Sequence, residues 1–214
     1  MTQNETRVER RDLIAGNVSL DFANTVDWHD SERPDELLTS YSDLVRWSRH
    51  AGILSEGQSS RLLARAQDSA ETADAVFARA IALREAIFRV FSAAIAGQPP
   101  GTHDLATLNS EVSVALARMR VTHGPAGFDW DWAEEDALDQ MLWPVAKSAA
   151  DLLTSPELSK VRKCLGFPCG WLFVDTSRNQ SRRWCDMKSC GNRAKARRHY
   201  QRKRHSPLHS TNCV

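Results

Sequence analysis

The stretch CLGFPCGWLFVDTSRNQSRRWCDMKSCGNR (164–193) contains four cysteines in two pairs of equal spacing. Cys164 and Cys169 are separated by four residues, and after fifteen more residues Cys185 and Cys190 are again separated by four. Four thiolates from two short pairs are the ligands of a tetrahedral structural zinc site, which keeps no open position for catalysis. Two disulfides or four unrelated buried cysteines are the alternatives, and the matching spacings favour zinc.

The charge of the chain is divided unevenly around these cysteines. The whole sequence has a net charge of only +1, but residues 160–204 contain 14 Lys and Arg against two acidic residues, a net charge of +12. The rest of the chain contains 14 basic and 25 acidic residues. This asymmetry predicts an acidic body with a basic end that binds a polyanion such as nucleic acid.

The residues between the cysteines predict a small fold that depends on the metal. The 45 residues 160–204 bury too little apolar surface to fold alone, and zinc binding supplies the missing free energy. GWLFVDTS (170–177) alternates like a strand, and CGNRAKARRHYQRKR (190–204) has the composition of a helix. The predicted order of turn, hairpin and helix is that of a small treble-clef-like zinc finger, in which four cysteines hold one zinc ion.

The basic residues of this finger are candidate contacts to nucleic acid. They crowd the helix on all sides, which suits a groove between two rows of phosphates. Asn192 and Arg193 are the candidates for reading base edges, because Asn pairs with adenine and Arg with guanine. The alternative is a solvated charged surface or a patch that binds the acidic body. The predicted phosphate contacts are Arg178, Arg182, Arg183, Lys195, Arg197, Arg198 and Arg202.

The chain before Pro156 predicts a mainly α body with one small hairpin. Apolar residues recur at helical spacing from 35 to 119 and again over 133–153, with a kink expected at Pro144. Over 72–96 the apolar stripe is widest and predicts a largely buried helix, and Ser55 followed by Gln58 predicts a capping box at a helix start. MRVTHGPAGFDWDW (119–132) breaks this period and alternates like a hairpin. The predicted organisation is a helical sensor or dimerisation domain at 13–155, the finger at 160–204 and a disordered tail at 205–214.

Two segments of the sequence resemble a known protein family. The residues from Trp171 through Trp184-Cys185 to Cys190-Gly-Asn-Arg193 closely resemble the CGNR zinc finger. Gly16-Asn17 and the following LDFANT (20–25) resemble the start of the ABATE domain, which usually precedes that finger in bacteria. The resemblance implies a mainly α ABATE domain, zinc ligation by Cys164, Cys169, Cys185 and Cys190, and a stress-induced transcriptional regulator that binds DNA.

A polar cluster in the body is the candidate site for a small-molecule effector. Asp21 and Asn24 share a face if this segment is helical, and Thr25 follows directly. Together with Arg84 they would hydrogen-bond an inducer in a cleft. The alternative, which is commoner for these residue types, is capping and internal hydrogen bonding.

Other features narrow the class of protein. The polar start MTQNETRVERRD (1–12) predicts no signal peptide, and no apolar run reaches the length of a membrane helix. We therefore expect a cytoplasmic protein with reduced cysteines. The sequence has no catalytic motif, which predicts a protein that is not an enzyme. An RNA- or ribosome-associated protein is the alternative to a DNA-binding regulator, and a homodimer would compensate for the small surface of a single finger.

Overall fold

The computed structural model describes residues 6–10, 12–29, 31–132 and 136–204. The described part of the chain is mainly helical, with three antiparallel two-stranded sheets that pair β1 with β2, β3 with β4 and β5 with β6. This confirms the predicted fold class. The helices are α1 Val18–Ala23, α2 Tyr41–His50, α3 Glu56–Asp68, α4 Ala70–Ile95, α5 Thr102–Ala117, α6 Leu142–Thr154 and α7 Asn192–Arg204. The strands are β1 Val26–Asp27, β2 Asp35–Glu36, β3 Met119–Gly124, β4 Gly127–Trp132, β5 Val161–Lys163 and β6 Leu172–Val174.

The 26-residue helix α4 is the centre of the body. Its wide apolar stripe, which predicted a largely buried helix, packs against α1, α5 and α6. Leu83, Ile87 and Phe91 on this helix are completely buried. The helix ends at Gly97, whose φ of +66° is the left-handed conformation that glycine adopts readily. Val8, which precedes the predicted start of the domain at residue 13, is also buried in this core.

Helices α2 and α3 begin at serine caps. Ser40 accepts a hydrogen bond from the backbone N–H of Asp43. Ser55 and Gln58 form the predicted capping box, in which each side chain accepts from the backbone N–H of the other residue.

The helix predicted over 133–153 is wrong in its first part. Residues 133–135 lie outside the described part of the chain, residues 136–141 form bends and turns, and α6 begins at Leu142. Pro144 therefore lies in the first helical turn, where the N–H that proline lacks would have no partner in the helix. This placement explains why a proline is tolerated here without the expected mid-helix kink.

The finger packs directly onto the body through its strands. Leu172 and Phe173 in β6 are completely buried, and the apolar residues of β5 and β6 belong to the same core as those of α1 and α4. The Asn24 side chain donates to the carbonyl of Leu172 at 2.8 Å and accepts from its N–H at 2.9 Å. Val174 N–H donates to the carbonyl of Ala15 at 2.8 Å. The chain therefore has one continuous core across the predicted boundary near Pro156.

Among the described residues, none of the helices combines the length and the apolar composition needed to cross a membrane.

We predict that Asn24→Ala destabilises the protein by about 2–4 kcal/mol, because it leaves a buried N–H and a buried carbonyl of Leu172 without partners. Chemical denaturation measures this change in the free energy of unfolding. Asn109→Ala, on the exposed surface of α5, is the matched control and should change stability by less than about 0.5 kcal/mol. Equal stability of the two variants would contradict the role assigned to Asn24.

Candidate metal centre and nucleic-acid interface

Two short turns bring the four cysteines together. Cys164 directly follows β5 and Cys169 lies three residues before β6, so the first pair sits in the turn of the β5–β6 hairpin. Cys190 lies in a π-helical turn, Met187–Gly191, whose first N–H groups are capped by Asp186. The hairpin thus encloses the first cysteine pair, whereas the sequence order predicted a hairpin that follows it. Cys190 lies just before α7 rather than in its first turn.

Gly166 allows the two turns to approach each other. A Cβ atom on Gly166 would lie 2.8 Å from the Cβ and 3.2 Å from the Sγ of Cys190. Any larger residue would therefore push the two cysteine turns apart.

The four sulfur atoms have the geometry of a zinc site. All four Sγ atoms lie within 4.8 Å of one another. The Sγ of Cys185 is 3.7 Å from that of Cys169 and 3.6 Å from that of Cys190. A tetrahedral zinc with Zn–S bonds of about 2.3 Å places its sulfur ligands about 3.8 Å apart. The donor set and its spacing therefore fit one structural zinc ion, and the cysteines are free thiols rather than disulfides.

Without a cation, the four thiols cannot all ionise. Hydrogen bonds from Cys169 and Cys185 lower the pKa of Cys164. The Cys164 thiolate in turn raises the pKa values of Cys169 and Cys185. A divalent metal ion reverses this effect because it stabilises all four thiolates together.

Donors around the cluster would offset the negative charge of a zinc tetrathiolate. Cys164 Sγ accepts from the backbone N–H of Gly166 at 3.4 Å and of Cys185 at 3.3 Å. The Arg193 guanidinium donates to Cys190 Sγ at 3.0 Å, and this hydrogen bond raises the pKa of Arg193. Such donors behind the ligands orient them and tune their charge.

Three of the predicted nucleic-acid contacts have structural partners inside the finger. Arg193 is bonded to the metal centre, as described above. Arg182 packs over the ring of Phe173 at 4.6 Å and donates to the carbonyls of Trp184 and Cys185. Asn192 donates to the carbonyl of Lys188 at 3.0 Å. These three side chains therefore stabilise the finger. The sequence predicted only contacts to nucleic acid for them, because they lie in a basic segment.

The other predicted contacts whose side chains the structure describes are exposed. Arg178, Lys195 and Arg198 are exposed and form no ion pair with a described acidic residue. Arg183 lies over Trp184 at 5.7 Å and Arg197 over Phe167 at 5.7 Å. The side chain of Arg202, in the last turn of α7, lies outside the described part, as does the tail at 205–214.

Two apolar residues at this surface were not among the predicted contacts. Leu165 and Phe167 are 60% and 68% exposed, at the tip of the first cysteine turn. With Arg197, Arg198 and other residues of α7 they line a groove of about 370 Å³. The sequence could have indicated them, because large apolar side chains inside a short turn of metal ligands have no hydrophobic core to pack against.

Another side of α7 faces the body. A cleft of about 730 Å³ separates Asp27, Trp28 and Asp35 from Lys188 and Arg193, and Asp35 forms an ion pair with Arg7. The chain outside residues 160–204 contains 14 basic and 25 acidic residues and repels a polyanion, so this side of the helix is less suitable for nucleic acid than the side of the groove.

The predicted effector residues are occupied by internal hydrogen bonds. Asp21 accepts from the N–H of Ala15 at 3.0 Å, and Thr25 donates to the carbonyl of Phe22 at 2.8 Å. Arg84 is 3% exposed and donates to both carboxylate oxygens of Glu36 at 2.7 and 2.8 Å.

The structure brings three of these four residues together. Asp21, Asn24 and Thr25 border a void of only about 10 Å³, and Arg84 does not line it. Effector binding at these residues stays a prediction, and it would require the cluster to open.

Comparison with known families agrees with this architecture. Residues 16–156 match the ABATE family, described as "Putative stress-induced transcription regulator", and residues 160–203 match the CGNR zinc finger. The chain therefore belongs to the ABATE family and carries a CGNR zinc finger, in the predicted order. No curated protein matches the chain.

We predict that Cys185→Ser abolishes stoichiometric zinc binding and unfolds the second cysteine turn with α7, because only three thiolates remain. Hydrogen exchange read by mass spectrometry should show loss of protection over 185–200, with α4 still protected. Metal analysis on the same sample reports the zinc content. Retained protection over 185–200 in the zinc-free variant would contradict a metal-dependent fold.

The buried carboxyl of Asp21 provides a test at acidic pH. Burial raises its pKa to about 6, and the N–H of Ala15 opposes this only in part. In the unfolded chain the pKa of an Asp is about 3.9. The protonated Asp21 carboxyl therefore contributes fully to stability below that pH, and this contribution is lost as the pH rises through about 6. Asp21→Asn should therefore gain stability relative to wild type between about pH 4 and 7, by up to about 3 kcal/mol. Melting temperatures across this range measure it, and parallel curves would contradict the raised pKa.

Proposed function

We propose that this chain is a transcription regulator, not an enzyme, that binds duplex DNA through α7 of its zinc finger. The observation that carries the proposal is the position of this helix. Six described cations of the segment from Lys188 to Lys203 are exposed, and the helix starts at the metal centre, where Arg193 is bonded to Cys190. A zinc tetrathiolate adds two negative charges, so the +12 of residues 160–204 becomes about +10.

The dimensions of α7 suit the major groove. Its 13 residues form a rod about 20 Å long, and the major groove, about 12 Å wide, accepts one α-helix. Lys195 and Arg198 are three residues apart and share one face of the rod. We assign them, with Arg178, to phosphate contacts, which position the protein without reading sequence.

The charge of the body favours one direction from which DNA approaches the finger. Asp27 and Asp35 line the cleft on one side of α7, and the groove beside Phe167 lies on another side. DNA would therefore meet the finger from the groove side, where the charged residues that line the groove are Arg193, Arg197 and Arg198. The body would position the finger and keep DNA away from the cleft.

We predict that the double substitution Lys195→Gln with Arg198→Gln weakens DNA binding at every sequence tested. The slope of log K against log [salt] should fall in magnitude by about 2, because each lost phosphate contact contributes about 0.9. Fluorescence anisotropy over a salt series measures both quantities. The zinc content should not change, since neither residue touches the cysteines.

The matched control removes two cations from the body, as Arg120→Gln with Lys147→Gln, and should leave affinity and salt slope at the wild-type values. A wild-type slope in the α7 variant would contradict the assignment of this helix. A loss confined to one DNA sequence would make Lys195 and Arg198 base readers instead.

One observation favours RNA as a second candidate ligand. Phe167 is 68% exposed and lies beneath Arg197, an arrangement that can stack on an unpaired base. Titration of the same protein with duplex DNA, structured RNA and single strands at equal salt separates the two candidates. Tighter binding of RNA, weakened by Phe167→Ala, would replace DNA with RNA as the ligand. Tighter binding of duplex DNA would support the first proposal.

A further inference from the structure

The β3–β4 hairpin has one apolar face and one polar face. Val121 lies opposite Trp130, and His123 lies opposite Phe128. Since side chains alternate along a strand, these four residues point to the same side. The residues that point to the other side are Arg120, Thr122, Asp129 and Asp131.

Within the described part of the chain, the apolar face is covered only at its base. Trp132 packs against the buried Trp143, with ring centroids 5.9 Å apart. Further along the hairpin, Phe128 is 78% exposed, Trp130 64% and Val121 58%. These three side chains leave roughly 400 Å² of apolar surface in water, the size of patch that on a soluble protein marks an interaction site.

We propose that a second copy of this chain covers the face, so that the protein is a two-fold dimer joined through its β3–β4 hairpins. Two such faces would bury roughly 800 Å² from these three residues alone, and the flanking side chains would bring the total near the roughly 1,000 Å² that a specific interface needs. Leu116, at the end of α5 just before the hairpin, is also 52% exposed.

The uncharged side chains of this face also suit contact with the same face of a second copy. A two-fold interface is self-complementary, so each side chain near the axis meets the same surface on the partner. Phe128, Trp130 and Val121 carry no charge, so an interface centred on these three side chains buries no unpaired charge. His123, which is on the same face, packs edge-on against Phe128 with ring centroids 4.8 Å apart. The charged residues of the hairpin, Arg120, Asp129 and Asp131, lie on the opposite face and stay in water.

Such a dimer would carry two zinc fingers. If the finger binds DNA as proposed above, the dimer would favour two half-sites related by a two-fold axis. The dimer itself does not depend on that function, and it is tested without nucleic acid.

The test is sedimentation of the zinc-loaded full chain from about 1 to about 100 µM, where mass action populates a dimer of moderate affinity. The wild type should reach twice the mass of one chain. Phe128→Ser with Trp130→Ser should raise the dissociation constant at least tenfold. Arg120→Ser with Asp129→Ser, on the polar face of the same hairpin, is the matched control and should dimerise like the wild type.

A measurement on the wild type alone guards against a variant that misfolds. Hydrogen exchange at β3 and β4 should slow as the protein concentration rises, because dimerisation shields the hairpin. A wild type that stays monomeric throughout, or a Phe128/Trp130 variant that is folded and dimerises normally, would overturn the proposal. So would a monomer whose hairpin binds lipid vesicles, since the face would then belong to a membrane surface.

Discussion

Four cysteine thiols within 4.8 Å of one another require a divalent cation to ionise together, because without one the Cys164 thiolate raises the pKa values of Cys169 and Cys185. The second cysteine turn and the start of α7 depend on this requirement. Cys190 is the last residue but one of the turn Met187–Gly191, and α7 begins two residues after it, at Asn192. Arg193 of that helix donates to the Cys190 sulfur. The metal centre thus fixes both the start of the basic helix and one of its arginines, which gives a highly charged segment a defined position.

The contact between finger and body is as important as the metal for the shape of the molecule. The finger has few apolar residues of its own, and its buried strand β6 packs against α1 and α4. These two helices share their core with α2 and α6. Asn24 at the end of α1 joins this strand by two hydrogen bonds. A displacement of α1 would therefore move β6 as well. Cys169, a ligand in the first cysteine turn, lies three residues before β6 in the chain. This is a physical route by which the body would influence the finger.

Local sequence patterns predicted those structural features that are formed by residues close together in the sequence. The cysteine spacing indicated the metal site, Ser55 and Gln58 indicated a helix start, and the alternation over 119–132 indicated the β3–β4 hairpin. Contacts between residues far apart in sequence were not predictable in this way. Asn24 and Leu172 are 148 positions apart, and the residues around each of them do not indicate which residue it contacts. Arg182 and Arg193 look like surface cations in the sequence, since a carbonyl or a thiolate partner exists only after folding. The helix predicted from residue 133 failed because apolar residues at 138, 141 and 142 also suit a buried turn.

We propose that a basic helix, held in place by the zinc site, binds this ABATE-family chain to DNA. The most direct measurement is to crosslink the protein to nucleic acid in its host, purify it and sequence what is bound. We expect discrete peaks in duplex DNA upstream of genes, which the Lys195→Gln/Arg198→Gln variant loses. Enrichment of RNA, or featureless coverage of DNA that the variant retains, would contradict it.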